Sequence, residues 1–483
     1  MQYEDLIKAM NQADCYDLED YRKVGTAFAF AERLHHKGEP RKSGEPYITH
    51  PVAVACTLAN QYSDDDTLCA GLLHDTVEDI PGVTDQLIAE QFGDTTAFLV
   101  DGVTKIRKNE NDDIELNREA NLKKIMESIP KDIRIIQIKL ADRKHNMQTM
   151  EYMKPEKQIY KSQETRDIYV PIATLIGEYE MKTELEDLAF MYLHPKEYEE
   201  MIKITREIEI KEQHNKDIVL NTIIMALLKV GIEPKLEARI KNPYGIYRRL
   251  QKYGSLSEIH DLYSIKIIID DVEQLLCMKE YISSLFEIVP GKSKNYIVSP
   301  KTNGYRADHV TVRTYDGSMM QLQFVTSNMD KVNRSGITAS YQELRKQKGN
   351  NYSLQDRVKN MQFYKTLEFL KEANLSPSEY NKAVRQDVLT KMVYIEDQDR
   401  EVTELPLGST PIDYALAKDI DIRKIWKILV NGKVVPPNYQ LESKDSVKIV
   451  KAYEEKDAIP LKIIASNASC YKSKLKIKGM HLH

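Results

Sequence analysis

The sequence predicts a multidomain protein with an all-α N-terminal part, an α/β middle part and a small β-rich part towards the C-terminus. Its 483 residues exceed what one hydrophobic core usually supports, so two to four domains are expected. Residues 1–195 have helical periodicity almost throughout. β-branched runs occur in residues 217–345, and short strand-like runs with turn signals occur in residues 388–453.

The composition is typical of a water-soluble protein, with 42% apolar residues, 30% charged residues and a net charge of −5. This small acidic excess argues against wholesale coating of nucleic acid and leaves room for a local basic patch. The sequence has no apolar run of membrane-spanning length and no basic-then-apolar signal at its N-terminus. The 5 cysteines lack metal-like or disulfide-like spacing, so we expect reduced thiols, a cytoplasmic protein and no membrane partner.

The candidate chemistry lies in three short segments of the helical N-terminal part. Together they supply two imidazoles and two carboxylates, from His50, His74, Asp75 and Asp142. A lone His or His–Asp pair is common by chance, and it is the conjunction that is specific. This ligand set suits a borderline divalent metal better than Mg²⁺ or Ca²⁺, which prefer oxygen ligands.

Two further carboxylates follow the His–Asp pair on a helical pattern. Glu78 would lie one turn beyond His74. Asp79 would likewise lie one turn beyond Asp75. Hydrolysis of a phosphate ester needs this combination, because a metal prepares the water and a carboxylate outside its ligand shell takes the proton.

The same segments offer groups for a polyanionic ligand. Asp142, Asn146 and Thr149 are spaced to share one face of a helix. Arg41 and Lys42 lie on a loop just before the first metal segment. The plain alternative for these two cations is a solvated basic loop, but their position favours contact with a nucleotide.

The chain resembles the RelA/SpoT family, the stringent-response enzymes that make and degrade the alarmone (p)ppGpp. The resemblance begins with the order His…His-Asp…Asp, which is the signature of HD-type metal phosphohydrolases. Among HD-type hydrolases, the RelA/SpoT family is indicated by the local sequences at residues 41–47, 74–79, 101–105 and 184–190, which resemble those of its hydrolase domain. The resemblance implies an all-α HD-type hydrolase domain with Mn²⁺ at the four-ligand set.

The resemblance also implies a role for each candidate residue of the hydrolase domain. Glu78 and Asp79 would orient and deprotonate the attacking water. The substrate would be ppGpp or pppGpp, and the products GDP or GTP and pyrophosphate. The nucleotide would be placed by Arg41, Lys42, Asn146 and Thr149.

Residues 217–345 resemble the α/β nucleotidyltransferase-like synthetase domain of this family, which transfers pyrophosphate from ATP to GDP or GTP. Strands are predicted at residues 263–269, 309–313 and 320–324, and the turn at 316–317 makes the last two a hairpin. The resemblance implies that basic residues bind phosphates, that an aspartate holds Mg²⁺ and that a tyrosine stacks on guanine. The matching residues are Arg239, Lys241, Asp261, Lys294 and Tyr305.

This domain departs from the family pattern where charge matters most. Gln321 replaces a glutamate, Val325 an arginine and Asn295 an aspartate of bifunctional members. Pyrophosphoryl transfer depends mainly on charge neutralisation and positioning, and an amide supplies neither a negative charge nor a proton acceptor. We therefore expect a synthetase domain that has lost its activity and that is still able to hold a guanine nucleotide.

The C-terminal part resembles the small β-grasp TGS domain of the family. Thr410 and Pro411 predict the start of a helix, and Asn431-Gly432 predicts a tight hairpin. The family histidine after this helix is absent, because the chain continues with Ala417. Contact with tRNA or the ribosome therefore stays open, as does oligomerisation. The lysine-rich tail is expected to be a solvated edge strand.

The sequence thus predicts a hydrolase-only enzyme, with two alternatives left open. One alternative is a bifunctional synthetase/hydrolase that tolerates Gln321. The other is a nucleotide-sensing binding protein, against which the two carboxylates beside the metal ligands argue. The predicted domains are 1–195 (hydrolase), 196–216 (helical connector), 217–345 (synthetase-like), 346–387 (helical linker), 388–453 (TGS) and 454–483 (basic tail).

Overall fold

A computed structural model of the chain divides into two compact units, and each unit has its own hydrophobic core. The first unit comprises Met1–Thr104 and Arg134–Leu354, and the second comprises Lys105–Ile133 and Gln355–His483. The structure describes residues 1–36, 39–105, 114–233, 235–298, 300–301, 303–336, 339, 359, 361–397, 402–454 and 457–480.

The first unit begins with a helical part in which apolar helices pack around α3. Nearly every residue of α3 is buried, because this helix contacts α1, α4 and α9 on different sides. A π-helix at Thr165–Tyr169 joins α10 to α11. The helices of this part are α1 (Tyr3–Ala13), α2 (Leu18–His35), α3 (Thr49–Asn60), α4 (Asp65–Leu73), α5 (Thr76–Asp79), α6 (Asp85–Phe92), α7 (Asp94–Val103), α9 (Arg134–Gln148), α10 (Pro155–Glu164), α11 (Val170–Leu175) and α12 (Tyr179–Leu193). The intervening helix in sequence, α8 (Ile114–Ser128), is part of the second unit.

A long helix, α13 (Pro195–Lys229), leads into the sheet part of the first unit and contains the predicted connector. The sheet has the strand order β1-β2-β6-β5-β3, and β4 pairs with β5. It is mixed, because β2 and β6 are parallel and the other pairs are antiparallel. Its elements are β1 (Lys235–Ile240), α14 (Pro243–Tyr253), β2 (Tyr263–Ile268), α15 (Val272–Ser283), β3 (Glu287–Ile288), β4 (Lys294–Asn295), β5 (Asp308–Arg313), β6 (Met319–Val325) and α16 (Ser327–Ser335).

The predicted strands and hairpin of the sheet part are confirmed. Strand β6 lies in the centre of the sheet, where Gln321 is in register with Ser264 on one side and Thr311 on the other. Because side chains alternate along a strand, Leu322 and Phe324 point into the hydrophobic core and Gln321 points to the opposite face. This register places Gln321 in the middle of the polar face.

The helical and sheet parts meet at a contact between two backbones. Gly336 follows α16, and a Cβ at this position would overlap the carbonyl oxygen of Ile176. Gly177 also has no room for a Cβ, which would lie 2.7 Å from the carbonyl oxygen of Asn303. Both glycines have positive φ angles, +67° and +80°, which L side chains rarely adopt. The chain therefore requires glycine on both sides of this contact.

The second unit combines helices with two small β-sheets. Strands β7 and β8 form a hairpin, and β10-β9-β11 form a three-stranded sheet. A single parallel bridge from Glu396 to Ser446 brings the two sheets together. The further elements are α17 (Gln362–Glu372), α18 (Pro377–Asp387), β7 (Met392–Glu396), β8 (Val402–Pro406), α19 (Pro411–Ala417), β9 (Ile425–Val430), β10 (Lys433–Val434), β11 (Val447–Lys451), α20 (Leu461–Ser466) and α21 (Tyr471–Met480).

Two local predictions for the second unit are confirmed. Thr410 forms a capping box with Asp413 at the start of α19, and Pro411 is the first helical residue. Asn431 and Gly432 have φ angles of +52° and +78°, as the tight turn between β9 and β10 requires.

The prediction of an edge strand for the tail is wrong. The described tail forms α20 and α21, and Asp387 caps α21 by accepting the backbone N–H groups of Tyr471 and Lys472 at 2.9 and 2.6 Å. Ser473 and Ile477 are four residues apart and both buried, so the lysines alternate around a helix with one packed face.

Helix α8 belongs to the second unit, although the sequence groups it with the hydrolase range. Asn381 on α18 donates to the carbonyl oxygen of Glu119 at 2.9 Å, and Lys123 donates to that of Leu375 at 2.8 Å. The start of the predicted helical linker, residues 346–358, lies outside the described residues. Across the described ranges, no helix combines the length and the apolar character needed to cross a membrane.

We predict that Gly336→Ala destabilises the chain because it adds a Cβ where both the backbone angle and the space forbid one. The backbone angles of Gly336, φ +67° and ψ −153°, are ones that essentially only glycine adopts, and they cost an alanine about 1–3 kcal/mol. Overpacking against the Ile176 carbonyl adds about 1–3 kcal/mol. Thermal unfolding followed by circular dichroism measures the loss.

Gly93→Ala is the matched control. Gly93 has φ +92° and ψ +159°, in the same near glycine-only region as Gly336, but a Cβ added there would meet no atom of the described residues within 4 Å. The melting temperature of this variant should therefore fall less than that of Gly336→Ala. Equal losses in the two variants would show that the backbone contact adds nothing.

Candidate metal and nucleotide sites

The four predicted metal ligands converge on one point in the helical part. His50 lies in the first turn of α3, His74 and Asp75 follow α4, and Asp142 lies on α9. Nε2 of His50 is 3.3 Å from Oδ1 of Asp142 and 3.6 Å from Oδ2 of Asp75. Nε2 of His74 is 3.2 Å from Oδ1 of Asp75 and 3.9 Å from Oδ1 of Asp142. The structure therefore brings all four donor groups together.

Burial and charge hold these groups in the protonation states that metal ligation needs. His50 and His74 are each 2% exposed, and burial lowers the pKa of His50, so its imidazole is neutral. Burial on its own would raise the pKa of the Asp142 carboxyl. Lys139, followed by the adjacent imidazoles of His50 and His74, outweighs that effect and holds this pKa well below its usual range.

The orientation of His74 provides a test of whether the site fits a metal. Its Nδ1 lies 2.8 Å from the carbonyl oxygen of Gly71, so Nδ1 carries the hydrogen and Nε2 carries the lone pair. This Nε2 is buried and has no hydrogen-bond partner among the described residues. A buried lone pair aimed at two carboxylates and a second imidazole is the arrangement that a divalent cation with nitrogen and oxygen ligands requires.

The two predicted catalytic carboxylates lie beside this cluster on the short helix α5. Glu78 is half-buried and Asp79 is exposed. The hydroxyl of Tyr47 lies 2.8 Å from Oδ2 of Asp79 and 2.8 Å from Oδ2 of the predicted ligand Asp75. Burial, followed by the two carboxylates, raises the pKa of Tyr47, so it remains a phenol whose single hydrogen lies between the two carboxylates.

Three of the four predicted nucleotide-binding residues meet next to the metal ligands. Nη2 of Arg41 lies 3.2 Å from Oδ1 of Asn146 and 3.2 Å from Oγ1 of Thr149. Asn146 in turn donates through Nδ2 to Oδ1 of Asp142. Lys42 is exposed on the same loop. A chain of hydrogen bonds thus joins the Arg41 guanidinium to a candidate metal ligand.

The sheet part contains a second candidate site, a cavity of about 440 Å³ over the polar face of the sheet. All five residues predicted to bind nucleotide there line this cavity, together with Gln321 and Val325. We call it the sheet cavity. Its basic lining residues are Arg239, Lys241, Arg248, Arg249, Lys252, Lys266, Lys292, Lys294, Lys301 and Arg334.

The acidic groups of the sheet cavity already have cationic partners. Asp261 accepts from Nζ of Lys241 at 2.7 Å and from Nε of Arg249 at 2.6 Å. Burial would raise its pKa, but Arg249 and Lys241 together lower it far below its usual range. The Gln321 amide oxygen accepts from Nε2 of Gln323 at 2.8 Å. Asp261, the residue predicted to hold Mg²⁺, is therefore paired with two cations, and Gln321 is uncharged.

The tyrosine predicted to stack on guanine lies within an aromatic and basic cluster. Nζ of Lys301 is 4.7 Å from the ring centre of Tyr305 and 4.8 Å from that of Tyr296. The Tyr305 hydroxyl lies 2.8 Å from Nε2 of His309. These contacts fix the ring on the wall of the sheet cavity.

Comparison with known proteins identifies the family. The HD domain family matches residues 27–177, and the "Region found in RelA / SpoT proteins" matches residues 238–348. A guanosine-3′,5′-bis(diphosphate) 3′-pyrophosphohydrolase from Borreliella burgdorferi is 33% identical over 463 residues, which are 95% of this chain and 68% of that protein. The chain belongs to the RelA/SpoT family.

Two further RelA/SpoT proteins have the same degree of similarity. The bifunctional (p)ppGpp synthase/hydrolase SpoT of Escherichia coli K12 is 33% identical, over 92% of this chain and 64% of its own length. A GTP pyrophosphokinase of Streptomyces coelicolor is 35% identical, over 89% of this chain and 52% of its own length. The chain thus spans about half to two thirds of the length of these relatives.

The structure of this RelA/SpoT protein adds two side chains that sequence reasoning did not single out. Tyr47 bridges a metal ligand and a candidate base, and its only signal was its place three residues before His50. His145 lies with Nδ1 2.8 Å from Nδ1 of His50. Burial, then His50 and Arg41, lower the pKa of His145 to about 3, so it is neutral. Its signal was its place in the helical segment that carries Asp142.

The helices that carry the metal ligands are held together by a buried ion pair. Asp64 caps α4 by accepting from the N–H of Thr67 at 2.9 Å. Its other oxygen accepts from Nη1 of Arg134, in the first turn of α9, at 2.7 Å. The side chains of Asp64 and Arg134 are only 3% and 9% exposed. This pair therefore joins the N-terminal ends of α4 and α9, the helices that lead to His74 and Asp142.

We predict that Asp64→Ala destabilises the protein by about 1.5–3 kcal/mol, because it removes a buried hydrogen bond between two charged groups, Asp64 and Arg134. It also removes the cap of α4. Thermal unfolding of the full chain measures this loss. Glu287→Ala is the control, since the Glu287–Arg313 pair is 71% and 43% exposed and should contribute less than about 1 kcal/mol. A loss no larger than that of the control would contradict the structural role of the buried pair.

Proposed function

We propose that this chain hydrolyses the 3′-pyrophosphate of ppGpp and pppGpp and releases GDP or GTP and pyrophosphate. The main support for this proposal is that two imidazoles and two carboxylates lie close together, with Arg41 and two further carboxylates beside them. The printed names of the Borreliella burgdorferi and Escherichia coli relatives, which include this hydrolase activity, support the same function.

We propose Mn²⁺ as the metal, held by His50, His74, Asp75 and Asp142. Two neutral imidazoles favour a borderline ion over Mg²⁺, and Mn²⁺ is the metal that the family resemblance implies. When bound there, the metal would lower the pKa of a water molecule and polarise the phosphoryl group.

The chain's own residues would then orient the reactants and move the proton. Glu78 and Asp79 lie beside the ligand cluster on α5, so we assign to them the orientation and deprotonation of the water. Tyr47 would hold Asp79 in place through its hydroxyl. Arg41 would contact the nucleotide, with Lys42, Asn146 and Thr149 completing that site.

We further propose that the synthetase-like domain no longer transfers pyrophosphate. Two observations support this: Gln321 is neutral at the centre of the polar face, and Asp261 is paired with both Lys241 and Arg249. A divalent cation would have to break these ion pairs and would find no second carboxylate at Gln321.

Guanine nucleotide binding in the sheet cavity is a second candidate function. The excess of basic residues in its lining favours a polyanionic ligand, and Tyr305 with Lys301 beside it offers a stacking surface. In addition, we assign residues 388–453 to a TGS domain. This is supported by the β7–β8 hairpin, α19 and the three-stranded sheet joined to that hairpin.

We predict that chelation abolishes ppGpp cleavage and that Mn²⁺ restores it better than Mg²⁺. In the Mn²⁺-loaded chain, Glu78→Gln should retain the metal while turnover falls about 10²–10⁴-fold, which is the usual contribution of a general base. Chromatography of the nucleotide products and elemental analysis of the protein measure the two effects separately.

His74→Ala is the companion variant, because it should lose metal and activity together. If Glu78→Gln lost metal in proportion to its rate, Glu78 would be a ligand and its assigned role would be wrong. Full cleavage by the exhaustively chelated wild-type chain would overturn the metal-dependent function.

We also predict that Asp75→Ala, in which hydrolysis cannot hide slow synthesis, forms no ppGpp from labelled ATP and GDP with Mg²⁺. Adding Gln321→Glu should not restore transfer, because Asp261 would remain paired with Lys241 and Arg249. Accumulation of labelled ppGpp in the Asp75→Ala chain would make the protein bifunctional.

A further inference from the structure

His145 makes a direct contact with a candidate metal ligand from outside the ligand set. Its Nδ1 lies 2.8 Å from Nδ1 of His50, and the two ring centres are 4.9 Å apart with the planes tilted by 38°. At this separation one nitrogen carries a hydrogen and the other a lone pair. The direction of this one hydrogen bond therefore decides the tautomers of both rings.

Only one direction is compatible with His50 as a ligand. Nε2 of His50 faces the carboxylates of Asp75 and Asp142, so it must keep its lone pair for the metal. The single hydrogen of the neutral imidazole is then on Nδ1, and His50 donates it to His145. In the opposite direction, Nε2 of His50 would carry the hydrogen and point it at the carboxylates, which would abolish ligation.

The two imidazole ligands thus differ in what fixes them. Nδ1 of His74 donates to the carbonyl oxygen of Gly71, a group that only accepts, so the backbone fixes its tautomer. Nδ1 of His50 instead contacts the side chain of His145, and a neutral histidine is able to accept or to donate a hydrogen bond through Nδ1. The ligand competence of His50 therefore depends on the tautomer of His145.

His145 is also attached to the residues assigned to the nucleotide. Its carbonyl oxygen accepts a hydrogen bond from Oγ1 of Thr149 at 3.1 Å, and the same Oγ1 accepts one from Arg41. The next residue, Asn146, accepts a hydrogen bond from Arg41 and donates one to Asp142. His145 thus lies in the segment at the end of α9 that links Arg41 to the candidate ligand Asp142.

We propose that His145 is a positioning residue of the metal centre: it accepts the Nδ1 hydrogen of His50 and so turns the Nε2 lone pair of His50 towards the metal. This inference rests on the proposed metal site. The role is that of an outer partner of a ligating histidine, whose loss typically costs 10–100-fold in metal affinity or activity.

The test is a titration of the metal-stripped full chain with Mn²⁺, in which free Mn²⁺ is measured by electron paramagnetic resonance. His145→Leu removes the acceptor and should weaken binding about 10–100-fold. His145→Asn is the matched variant, since its Oδ1 takes the place of Nδ1 as an acceptor, and it should bind Mn²⁺ far more tightly than His145→Leu. A role limited to packing would not distinguish the variants in this way.

A second measurement does not depend on the folding of either variant. The ¹⁵N shifts of labelled histidine in the wild-type chain loaded with diamagnetic Zn²⁺, with His50 assigned by comparison with His50→Gln, should place the His50 hydrogen on Nδ1. Finding that hydrogen on Nε2 would overturn the inference.

The outcomes separate this inference from the proposed function. If wild type and His145→Leu bind Mn²⁺ equally well, His145 does not position His50, while the metal site stands. Equally weak binding by His145→Asn and His145→Leu would also overturn it, because an acceptor would not suffice. If the wild-type chain binds no Mn²⁺ at all, the metal site itself is wrong and the inference falls with it.

Discussion

The helical part depends on placing two carboxylates, Asp75 and Asp142, where little water reaches them. Each disfavours the ionised form of the other, and burial adds to the cost. The protein offsets this with two imidazoles and with Lys139 behind Asp142, and a divalent cation would supply further positive charge. Three separate helices provide these groups, so the geometry of the site depends on how α3, α4 and α9 pack against one another. The Asp64–Arg134 pair contributes to this packing, because it joins α4 to α9.

The two candidate sites treat their acidic groups in opposite ways. In the helical part the carboxylates face one another and a buried histidine lone pair, an arrangement that a cation from solution would complete. In the sheet cavity Asp261 is already neutralised by cations of the chain itself. The neutral Gln321 lies on the same face, so under the proposed function no second carboxylate would share a metal with Asp261 there. The two sites thus differ in electrostatics: the first lacks positive charge at its centre, and the second already has it.

Sequence reasoning succeeded where local pattern determines structure. Alternating apolar residues located β2, β5 and β6, and capping residues located the start of α19. It missed Tyr47 and His145 as partners of the ligands, because those contacts join residues 28 to 95 positions apart. It failed for the tail, where alternating lysines fit a strand and also a helix with one packed face. The pairing of Asp261 likewise depends on packing that no local pattern encodes.

The contact between Gly177 and Gly336 affects how the chain can be divided experimentally. The loop at residue 177 is covered by backbone from beyond residue 300, and Arg334 reaches across to Glu180 at 3.3 Å. A fragment that ended at residue 195 would retain every candidate metal ligand and would lose this cover. The loop at residue 177, which directly precedes α12, would then be exposed to solvent instead of packing against another backbone segment. Such a fragment is therefore a different molecule from the same residues within the whole chain, and its behaviour would not stand for that of the intact protein.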